Sequence, residues 1–250
     1  MAVRILAESA TLAPMIAALT LDLDDTLWPV MPTLRRAEAV LQDWLAAHAP
    51  ATAAAFDVAR LQHLRADVAR RHPQFAHDLT RLRRLTLREA LVAGGDDPAL
   101  AEPAFEAFFA ARQQVRWYGD VRPALERLAA RFPLLGLSNG NAELAATGLA
   151  PYFVGAVSAR GCGVAKPDPA IFAAGCAALR RRPAEVMHVG DDWALDVVGA
   201  RRAGLHSAWV RRPEARHRGP VHAADTAAAA GAGHHLDLDD LLALADALGA

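Results

Sequence analysis

The chain has 250 residues, and 53% of them are hydrophobic, which is enough for a substantial core and excludes a disordered or fibrous protein. Its 27 basic and 28 acidic residues nearly cancel. This balance argues against a nucleic-acid or anionic-membrane binder, because such proteins carry a basic excess. No apolar run reaches the ~18 residues of a membrane span, and the first residues lack the plan of a signal peptide. Two cysteines are too few for a disulfide framework, so we expect a cytoplasmic protein.

The elements predicted in chain order alternate strands with helices around one long helical insert. Ile16–Leu23 is a nearly continuous apolar run, typical of a strand buried on both faces of a parallel sheet. From residue 33 to 117 the apolar residues recur at helical spacing without strand-like alternation. The later predicted elements are strands at 132–137, 153–157, 185–189 and 205–210 and helices at 170–179, 196–203 and 239–248.

This order predicts an α/β fold: a doubly wound parallel sheet interrupted after its first strand by an all-helical insert. The predicted domains are a Rossmann-like core at 1–29 and 118–250 and a helical domain at 30–117. The stretch from 211 to 233 is rich in Arg, Ala, Gly and His, and we interpret it as a loop.

Polar motifs follow several of the predicted strands, where parallel sheets bind their ligands. They are Asp22-Leu-Asp-Asp-Thr26, Ser138-Asn139, Lys166 and Gly190-Asp-Asp192. Each motif alone is weak. The stretch Leu236–Asp240 repeats Leu21–Asp25 letter for letter but leads into an amphipathic helix. We interpret this second copy as a strand end followed by a helix N-cap.

Together these motifs suit phosphoryl transfer with a carboxylate nucleophile. Asp22 lies at the strand tip and is the candidate nucleophile. Strand alternation puts Asp24 on the same side, where it can protonate the leaving oxygen and later accept a proton from water.

Three further residues offer donors to phosphoryl oxygens: the hydroxyls of Thr26 and Ser138 and the backbone N–H of Asn139. Lys166, the sole lysine among the 27 basic residues, adds a compact positive charge for catalysis and phosphate binding. Asp168 is a predicted N-cap before Pro169, so Lys166 directly precedes a helix at the strand ends.

The convergence of several carboxylates implies Mg²⁺, because without a cation they would repel one another. The predicted ligands are the carboxylates of Asp22 and Asp191 and the backbone carbonyl of Asp24. Asp192 competes as the third carboxylate, and Asp196 is expected to orient its neighbours rather than to bind the ion.

The ordered set Asp-x-Asp-x-Thr, Ser, Lys-Pro and Gly-Asp-Asp-x-x-x-Asp resembles the haloacid dehalogenase superfamily. The match spans about Leu19 to Val210, and the helical insert is similar to that superfamily's type-1 cap. One departure is Asp25, where the superfamily usually has glycine. The resemblance implies a Mg²⁺-dependent phosphatase that forms an aspartyl-phosphate intermediate.

Shorter motifs resemble one branch of the superfamily, the bacterial flavin-pathway phosphatases. They are Leu21–Trp28, His77-Asp-Leu-Thr-Arg81, Ser138–Asn141 and His188–Asp192. This resemblance implies that the substrate is a small phosphorylated metabolite, FMN or 5-amino-6-(5-phospho-D-ribitylamino)uracil.

Other functions are compatible with parts of this pattern. A 2-haloacid dehalogenase shares the fold and the nucleophile, but the resemblance implies that such enzymes lack the second aspartate, which is Asp24 here. A phospho-accepting signalling domain also gathers acids, hydroxyls and lysine around Mg²⁺, but the large insert and Asp24 oppose it. A purely structural or binding module would not need the four motifs. A phosphomutase or phosphonate hydrolase stays open, because cap chemistry decides between them.

The substrate-contacting residues of the cap are the least specified. Trp28 either stacks on a substrate ring or packs the hinge, and His77 is a candidate for the cleft entrance. Arg81 either meets the substrate or belongs to a solvated arginine face. His188 is interpreted as a core residue. We expect a monomer or homodimer that binds neither nucleic acid nor membrane.

Overall fold

A computed structural model describes residues 16–212 and 233–250, and its centre is a six-stranded sheet. The strands are β1 Ala18–Leu21, β2 Leu134–Ser138, β3 Phe153–Ser158, β4 Val186–Gly190, β5 His206–Val210 and β6 His235–Leu238. Their order across the sheet is β3-β2-β1-β4-β5-β6, and every neighbouring pair is parallel. The predicted doubly wound parallel sheet is confirmed.

The first strand lies in the middle of this sheet, and its position follows from its sequence. All four residues of β1 are buried, as are those of β2 and β4 on either side. Helices cover both faces: α6 Val121–Arg131 and α10 Leu241–Ala247 pack against each other, while α8 Pro169–Leu179 packs on β2 and β3. A strand covered on both faces must be apolar along its whole length, which explains the continuous run in the sequence.

Between β1 and α6 the chain contributes helices only. They are α1 Val30–His48, α2 Pro50–Ala55, α3 Val58–Arg71, α4 Leu79–Gly94 and α5 Ala101–Arg112, with 3₁₀ turns at Pro73–Phe75 and Pro98–Leu100. The side chains of Asp57 and Asp78 cap α3 and α4. This segment has a hydrophobic cluster of its own, centred on Leu41, Leu91 and Phe105. We propose that it is the cap expected at 30–117, and we call it the cap below.

The remaining elements connect the strands. They are α7 Ala159–Cys162, the 3₁₀ turn Pro183–Glu185, a π-helical turn Trp193–Val198 and α9 Gly199–Arg202. The helix predicted at 196–203 therefore begins three residues earlier, because Asp192 acts as its N-cap. The second Leu-Asp-Leu-Asp-Asp copy forms the end of β6 and the Asp240 cap of α10, as predicted.

Most of the loop predicted at 211–233 lies outside the described residues. Within the described ranges, none of the helices combines the length and the apolar character that crossing a membrane requires.

Candidate active site

The predicted motifs meet at the carboxyl ends of β1, β2 and β4, beneath the cap. β1 lies between β2 and β4, where the strand order reverses, and such a switch point opens a crevice. A cleft of about 510 Å³ occupies this place. Its core side is formed by Asp22, Asp24, Ser138, Asn139, Gly140, Asn141, Lys166, Asp192, Leu195 and Asp196. Its cap side is formed by Val30, Leu34, Gln62, Arg65, Ala66, Ala69, Leu79, Leu82, Arg83, Phe108 and Arg112.

Asp22 and Lys166 form a direct, buried ion pair at the floor of the cleft. The Lys166 Nζ donates to Asp22 Oδ1 at 2.7 Å and to Asp196 Oδ1 at 2.6 Å. Burial alone lowers the pKa of Lys166, but Asp196 and Asp22 raise it above its usual value. Burial raises the pKa of Asp22 to about 7, although Lys166 opposes this rise. Lys166 therefore stays charged, and it favours the ionised form of Asp22 that a nucleophile requires.

The Asn139 side chain binds both backbone polar groups of Lys166, the N–H and the carbonyl. The Asn139 Oδ1 accepts from the Lys166 N–H at 2.7 Å, and the Asn139 Nδ2 donates to the Lys166 carbonyl at 3.0 Å. The Ser138 Oγ accepts from the Gly140 N–H at 2.9 Å and lines the cleft. The hydroxyl proton of Ser138 can thus be donated to a ligand, and its predicted phosphate contact stays a prediction, as does that of the Asn139 N–H.

Asp196 is oriented by His188, a residue that the sequence identified only as core. His188 is fully buried, and its Nε2 lies 3.0 Å from Asp196 Oδ1 while its Nδ1 lies 2.9 Å from Thr20 Oγ1. Burial lowers the pKa of His188, which keeps the ring neutral. The carboxylate can only accept, so Nε2 carries the proton and Nδ1 accepts from Thr20. Burial alone would raise the pKa of Asp196, but Lys166 and His188 hold it well below its usual value.

Three carboxylates could hold a cation in this site. Ligand oxygens of Asp22, Asp191 and Asp196 all lie within 4.8 Å of one another, and all three residues are buried. Burial, with the nearby charges of Asp196 and Asp22, raises the pKa of Asp191 to about 9. The carboxyls of Asp22 and Asp191 resist ionisation beside the charged Asp196. A hard divalent cation bound by the carboxylate oxygens would offset this repulsion.

Two predicted contacts need correction. The side chain of Asp192, offered as a metal ligand, accepts from the N–H groups of Ala194 and Leu195 as a helix cap, and it lies outside the carboxylate cluster. Thr26, predicted to bind phosphate, is fully buried and donates its hydroxyl to Asp191 Oδ1 at 2.9 Å. Thr26 therefore orients a candidate metal ligand rather than facing the cleft.

Asp24 lies on the same side of the cleft as Asp22, as strand alternation predicted. Its carboxylate accepts from the Trp28 indole N–H at 2.8 Å and from the guanidinium of Arg112. Because this carboxylate is turned toward the cap, only the backbone carbonyl of Asp24 stays a candidate metal ligand.

Of the residues offered as substrate contacts, Trp28 takes the packing role that the sequence left open, and Arg81 and His77 lie outside the lining of the cleft. Trp28 is completely buried, so it packs the hinge and cannot stack on a ligand. The exposed Arg81 lies with its guanidinium 3.6 Å from the ring centre of Phe75. Neither Arg81 nor His77 lines the cleft.

Sequence reasoning missed three cap arginines that line the cleft, the exposed Arg65 and two others, Arg83 and Arg112. The latter two are buried, and Arg83 pairs with Glu38 at 2.8 Å. Nothing in the composition distinguishes them, because arginine fills nearly every basic position of this chain. Only the position of Arg83 and Arg112 on buried helix faces could have drawn attention to them.

Comparison with known proteins agrees with this geometry. The family model described as haloacid dehalogenase-like hydrolase matches residues 16–204. The chain is 33% identical to the 5-amino-6-(5-phospho-D-ribitylamino)uracil phosphatase YigB of Escherichia coli (strain K12), over 78% of this chain and 84% of that protein. It is 35% identical to the phosphoserine phosphatase of Thermus thermophilus, over 52% of this chain and 55% of that protein.

Its fold is similar to that of a 2-haloacid dehalogenase from Pseudomonas syringae pv. Tomato DC3000. The TM-score is 0.79 at 35% identity, with 94% of this chain and 99% of that chain covered. The family predicted from the motifs is thereby confirmed, and the named curated relatives are phosphatases, in agreement with the predicted enzyme class. The chain belongs to the haloacid dehalogenase-like hydrolases.

Proposed function

We propose that this hydrolase is a Mg²⁺-dependent phosphatase that cleaves a small phosphorylated metabolite through an aspartyl-phosphate intermediate. One observation carries the proposal: the buried Asp22 is paired with Lys166 and faces the same cleft as a second carboxylate, Asp24. A nucleophile and a separate proton carrier two residues apart are what transfer to and from an aspartate requires.

The reaction proceeds in two displacements. In the first, an Asp22 carboxylate oxygen attacks phosphorus, the bond from phosphorus to the leaving oxygen breaks, and Asp24 gives that oxygen a proton. In the second, water attacks phosphorus, Asp24 takes a proton from the water, and the bond from phosphorus to the Asp22 oxygen breaks. The products are an alcohol and inorganic phosphate, and both aspartates return to their starting state.

The remaining residues bind the phosphoryl group and hold the nucleophile. Lys166 Nζ lies against Asp22, so a phosphoryl group on Asp22 would meet its charge. The Ser138 hydroxyl and the Asn139 N–H are the candidate donors to the other phosphoryl oxygens. A divalent cation, held by Asp22, Asp191 and the Asp24 carbonyl with Asp196 close by, would supply charge neutralisation to the phosphoryl oxygens.

The cleft supports a substrate with an apolar or planar group beside its phosphate. The cap side of the cleft is mostly apolar, with Leu34, Leu82 and Phe108 among its residues. Arg83 also lines it, with its guanidinium 3.8 Å from the ring centre of Phe108. We propose FMN or 5-amino-6-(5-phospho-D-ribitylamino)uracil as the substrate. The sequence similarity to YigB, whose name states the second activity, supports this choice.

The second candidate function is 2-haloacid dehalogenation. It is favoured by the similarity to the Pseudomonas syringae structure, whose name states that activity. A halide leaving group needs no proton, however, so in a dehalogenase Asp24 would not act as a general acid. A phospho-accepting signalling role is disfavoured for the same reason, since Asp24 beside the nucleophile would hydrolyse the phosphoryl aspartate.

One screen separates these functions. The purified protein is given Mg²⁺ and, separately, FMN, the ribitylaminouracil phosphate, phosphoglycolate, sugar phosphates and L-2-chloropropionate, and released phosphate and chloride are measured. We expect phosphate release, abolished by EDTA, with the highest kcat/KM on one of the first two compounds. Chloride release without phosphate release would support the dehalogenase, and a preference for sugar phosphates would remove the flavin-pathway assignment.

A further inference from the structure

The Asp24 carboxylate is held by side-chain donors from two sides. The Arg112 Nη2 lies 2.7 Å from Asp24 Oδ1 and 2.6 Å from Oδ2, and the Trp28 Nε1 lies 2.8 Å from Oδ1. The Arg112 side chain is 3% exposed, whereas that of Asp24 is 20% exposed. The carboxylate is therefore fixed by a buried cation and remains accessible from the cleft.

The backbone of Gly140 lies against the Asp24 carboxylate on a third side. A Cβ at Gly140 would lie 2.5 Å from Asp24 Oδ2, too close for any side chain without displacing the carboxylate. The φ of Gly140 lies outside the left-handed region, so the backbone itself would accept alanine. What excludes a larger residue is the position of the Asp24 oxygen.

Hydrogen-bond counting identifies which oxygen of Asp24 can transfer a proton. Each carboxylate oxygen accepts about two hydrogen bonds. Oδ1 already accepts from Trp28 and Arg112, while Oδ2 accepts from Arg112 alone. Oδ2 thus has capacity left for a proton.

Arg112 reaches Asp24 from the cap. Hydrogen bonds near this contact join the cap to the core loop that follows β2. Arg112 is the last residue of α5. The neighbouring Gln113 side chain donates to the Asn141 carbonyl at 3.2 Å and accepts from the Glu143 N–H at 2.8 Å. The Asn141 side chain in turn donates to Thr80 of the cap at 3.3 Å. The contact between Arg112 and Asp24 therefore occurs together with the hydrogen bonds that join the cap to the core loop after β2.

We propose that Arg112 is the positioning residue for Asp24: it holds the carboxylate so that Oδ2 faces the leaving oxygen while the cap lies on the core. This inference rests on the proposed phosphatase function. Proton transfer requires the two heavy atoms to approach to about 2.6–3.2 Å. Asp24 lies beyond the end of β1, where its backbone forms an isolated bridge with Trp28 rather than a place in the sheet, so its side chain depends on side-chain contacts for its orientation. The Arg112 Nη2 lies against both oxygens of Asp24, so it orients the carboxylate as well as attracting it.

A merely structural role of Arg112 would not make the variant's loss of activity depend on the leaving group. Loss of Arg112 should impair the protonation of the leaving oxygen and spare the attack of Asp22. An alkyl phosphate expels a poor leaving group and depends on that proton. The p-nitrophenolate ion is stable near neutral pH and depends on it little. The damage should therefore be selective for the alkyl substrate.

The test compares p-nitrophenyl phosphate with β-glycerophosphate, in the presence of Mg²⁺, for Arg112→Met and Asp24→Asn. We expect both variants to lose about 10²-fold or more in kcat/KM on β-glycerophosphate, the range of general acid catalysis. Both should lose less than about 10-fold on p-nitrophenyl phosphate, where that catalysis matters little. The double variant should lose hardly more than Asp24→Asn alone, since coupled residues are not additive.

Arg83→Met is the matched control. Arg83 is also a buried cap arginine that lines the cleft and pairs with a carboxylate, but its partner is Glu38. The Arg83→Met variant should lose kcat/KM equally on the two substrates. Gly140→Ala displaces Asp24 Oδ2 without removing a charge, so it should repeat the selective loss even where Arg112→Met fails to fold.

Three results would overturn the inference. They are equal losses on both substrates in Arg112→Met, additive losses in the double variant, and a Gly140→Ala protein with unchanged selectivity. A wild-type protein that hydrolyses neither substrate nor any compound of the metabolite screen would overturn the phosphatase function itself, and this inference with it. Wild-type activity with unselective variants would overturn the inference alone.

Discussion

The same five residues, Leu-Asp-Leu-Asp-Asp, occur twice in this chain and end two strands of one parallel sheet. The first copy, Leu21–Asp25, follows β1 in the middle of the sheet, and the second, Leu236–Asp240, belongs to β6 at its edge. β1 has neighbours on both sides that bring their own polar ends, while β6, among the residues that the structure describes, pairs with β5 alone. The difference in chemistry between the copies therefore comes from their surroundings, since the five letters are identical.

Exposure and partners separate the corresponding aspartates. The side chain of Asp22 is 13% exposed and pairs with the buried Lys166, whereas that of Asp237 is 46% exposed and pairs with Arg211. Asp24 is enclosed in the cleft, whereas Asp239 is 87% exposed. Charges near a low-dielectric cleft interact strongly, but exposed pairs are screened by water. A catalytic carboxylate thus needs neighbours that exclude water, which an edge strand does not provide.

The last aspartate of each copy accepts from a backbone N–H in the first turn of the helix that follows. Asp25 has a left-handed backbone, with φ +58°, and its Oδ1 accepts from the Val30 N–H at 2.8 Å. Asp240 is extended, and its Oδ1 accepts from the Ala243 N–H at 2.7 Å. Aspartate tolerates the left-handed region better than most residues do, so Asp25 replaces the usual glycine and adds a hydrogen bond at the start of the cap.

The sharpest contrast between the copies is expected from Asp22→Asn and Asp237→Asn. Asparagine is nearly isosteric with aspartate but is not a nucleophile, so Asp22→Asn should abolish turnover while the fold is retained. Asp237→Asn should leave kcat/KM unchanged. Phosphate release and circular dichroism check both variants, and measurable turnover by Asp22→Asn would exclude the covalent route.

The second largest effect is expected at the next aspartate of each copy. Asp24→Asn should lower kcat on FMN by about 10²–10⁴-fold through lost acid–base catalysis. Asp239→Asn removes only an exposed ion pair, and such pairs contribute little. Steady-state kinetics measure the two variants. A similar kcat in both would mean that Asp24 transfers no proton.

A smaller effect distinguishes the cations that accompany the two copies. Lys166→Arg replaces a compact ammonium with a larger planar guanidinium in a buried site. A displacement of about 1 Å in the reacting groups can cost about 10²-fold, and we expect a loss of at least that size in kcat/KM. Arg211→Lys, in the exposed pair with Asp237, should have no effect. Near-normal activity of Lys166→Arg would show that Lys166 is not the phosphate-binding lysine.

The sequence predicted the sheet and the position of the motifs because those depend on patterns of apolar residues and strand ends. The continuous apolar run of β1 requires burial on both faces, and Asp168 before Pro169 marks the start of α8, where Asp168 caps the Ala170 N–H at 2.9 Å. The same capping rule would have assigned Asp192 correctly, since it directly precedes a helical stretch.

Contacts between side chains far apart in the chain could not be predicted from the sequence. Arg112 reaches Asp24 across 88 positions of the chain, and Thr26 turns away from the cleft because Asp191, 165 positions later, accepts its hydroxyl. No local pattern encodes such contacts, because they depend on how distant segments of the chain pack together. Trp28 could be interpreted as a ligand contact or as packing for the same reason, and only its complete burial decides the question.

The smallest expected effect is on stability, and it compares Asp191, which lies beside Asp22 of the first copy, with Asp237 of the second copy. Burial raises the pKa of Asp191 to about 9 from an ordinary value of 3.8. The folded protein therefore holds this proton more tightly than the unfolded chain. The stabilisation is complete below the unfolded pKa and is lost as the pH rises through the folded pKa. The metal-free protein should accordingly lose stability between about pH 4 and pH 9.

Asp191→Asn removes this loss, because an amide does not ionise and can still accept the Thr26 hydroxyl. At pH 8 without metal, its Tm should exceed that of the wild type by at least about 2–4 °C, the shift that corresponds to roughly 1 kcal/mol in a chain of this size. Asp237→Asn, whose side chain in the second copy is half exposed, should shift the Tm less.

Mg²⁺ should raise the Tm of the wild type, since a ligand that binds only the folded state stabilises it, and should do so far less in Asp191→Asn. Thermal melts at pH 5, 7 and 9, with EDTA or Mg²⁺, measure these differences. A wild-type Tm that rises with pH in EDTA, or the same Mg²⁺ response in both proteins, would remove Asp191 from the metal site.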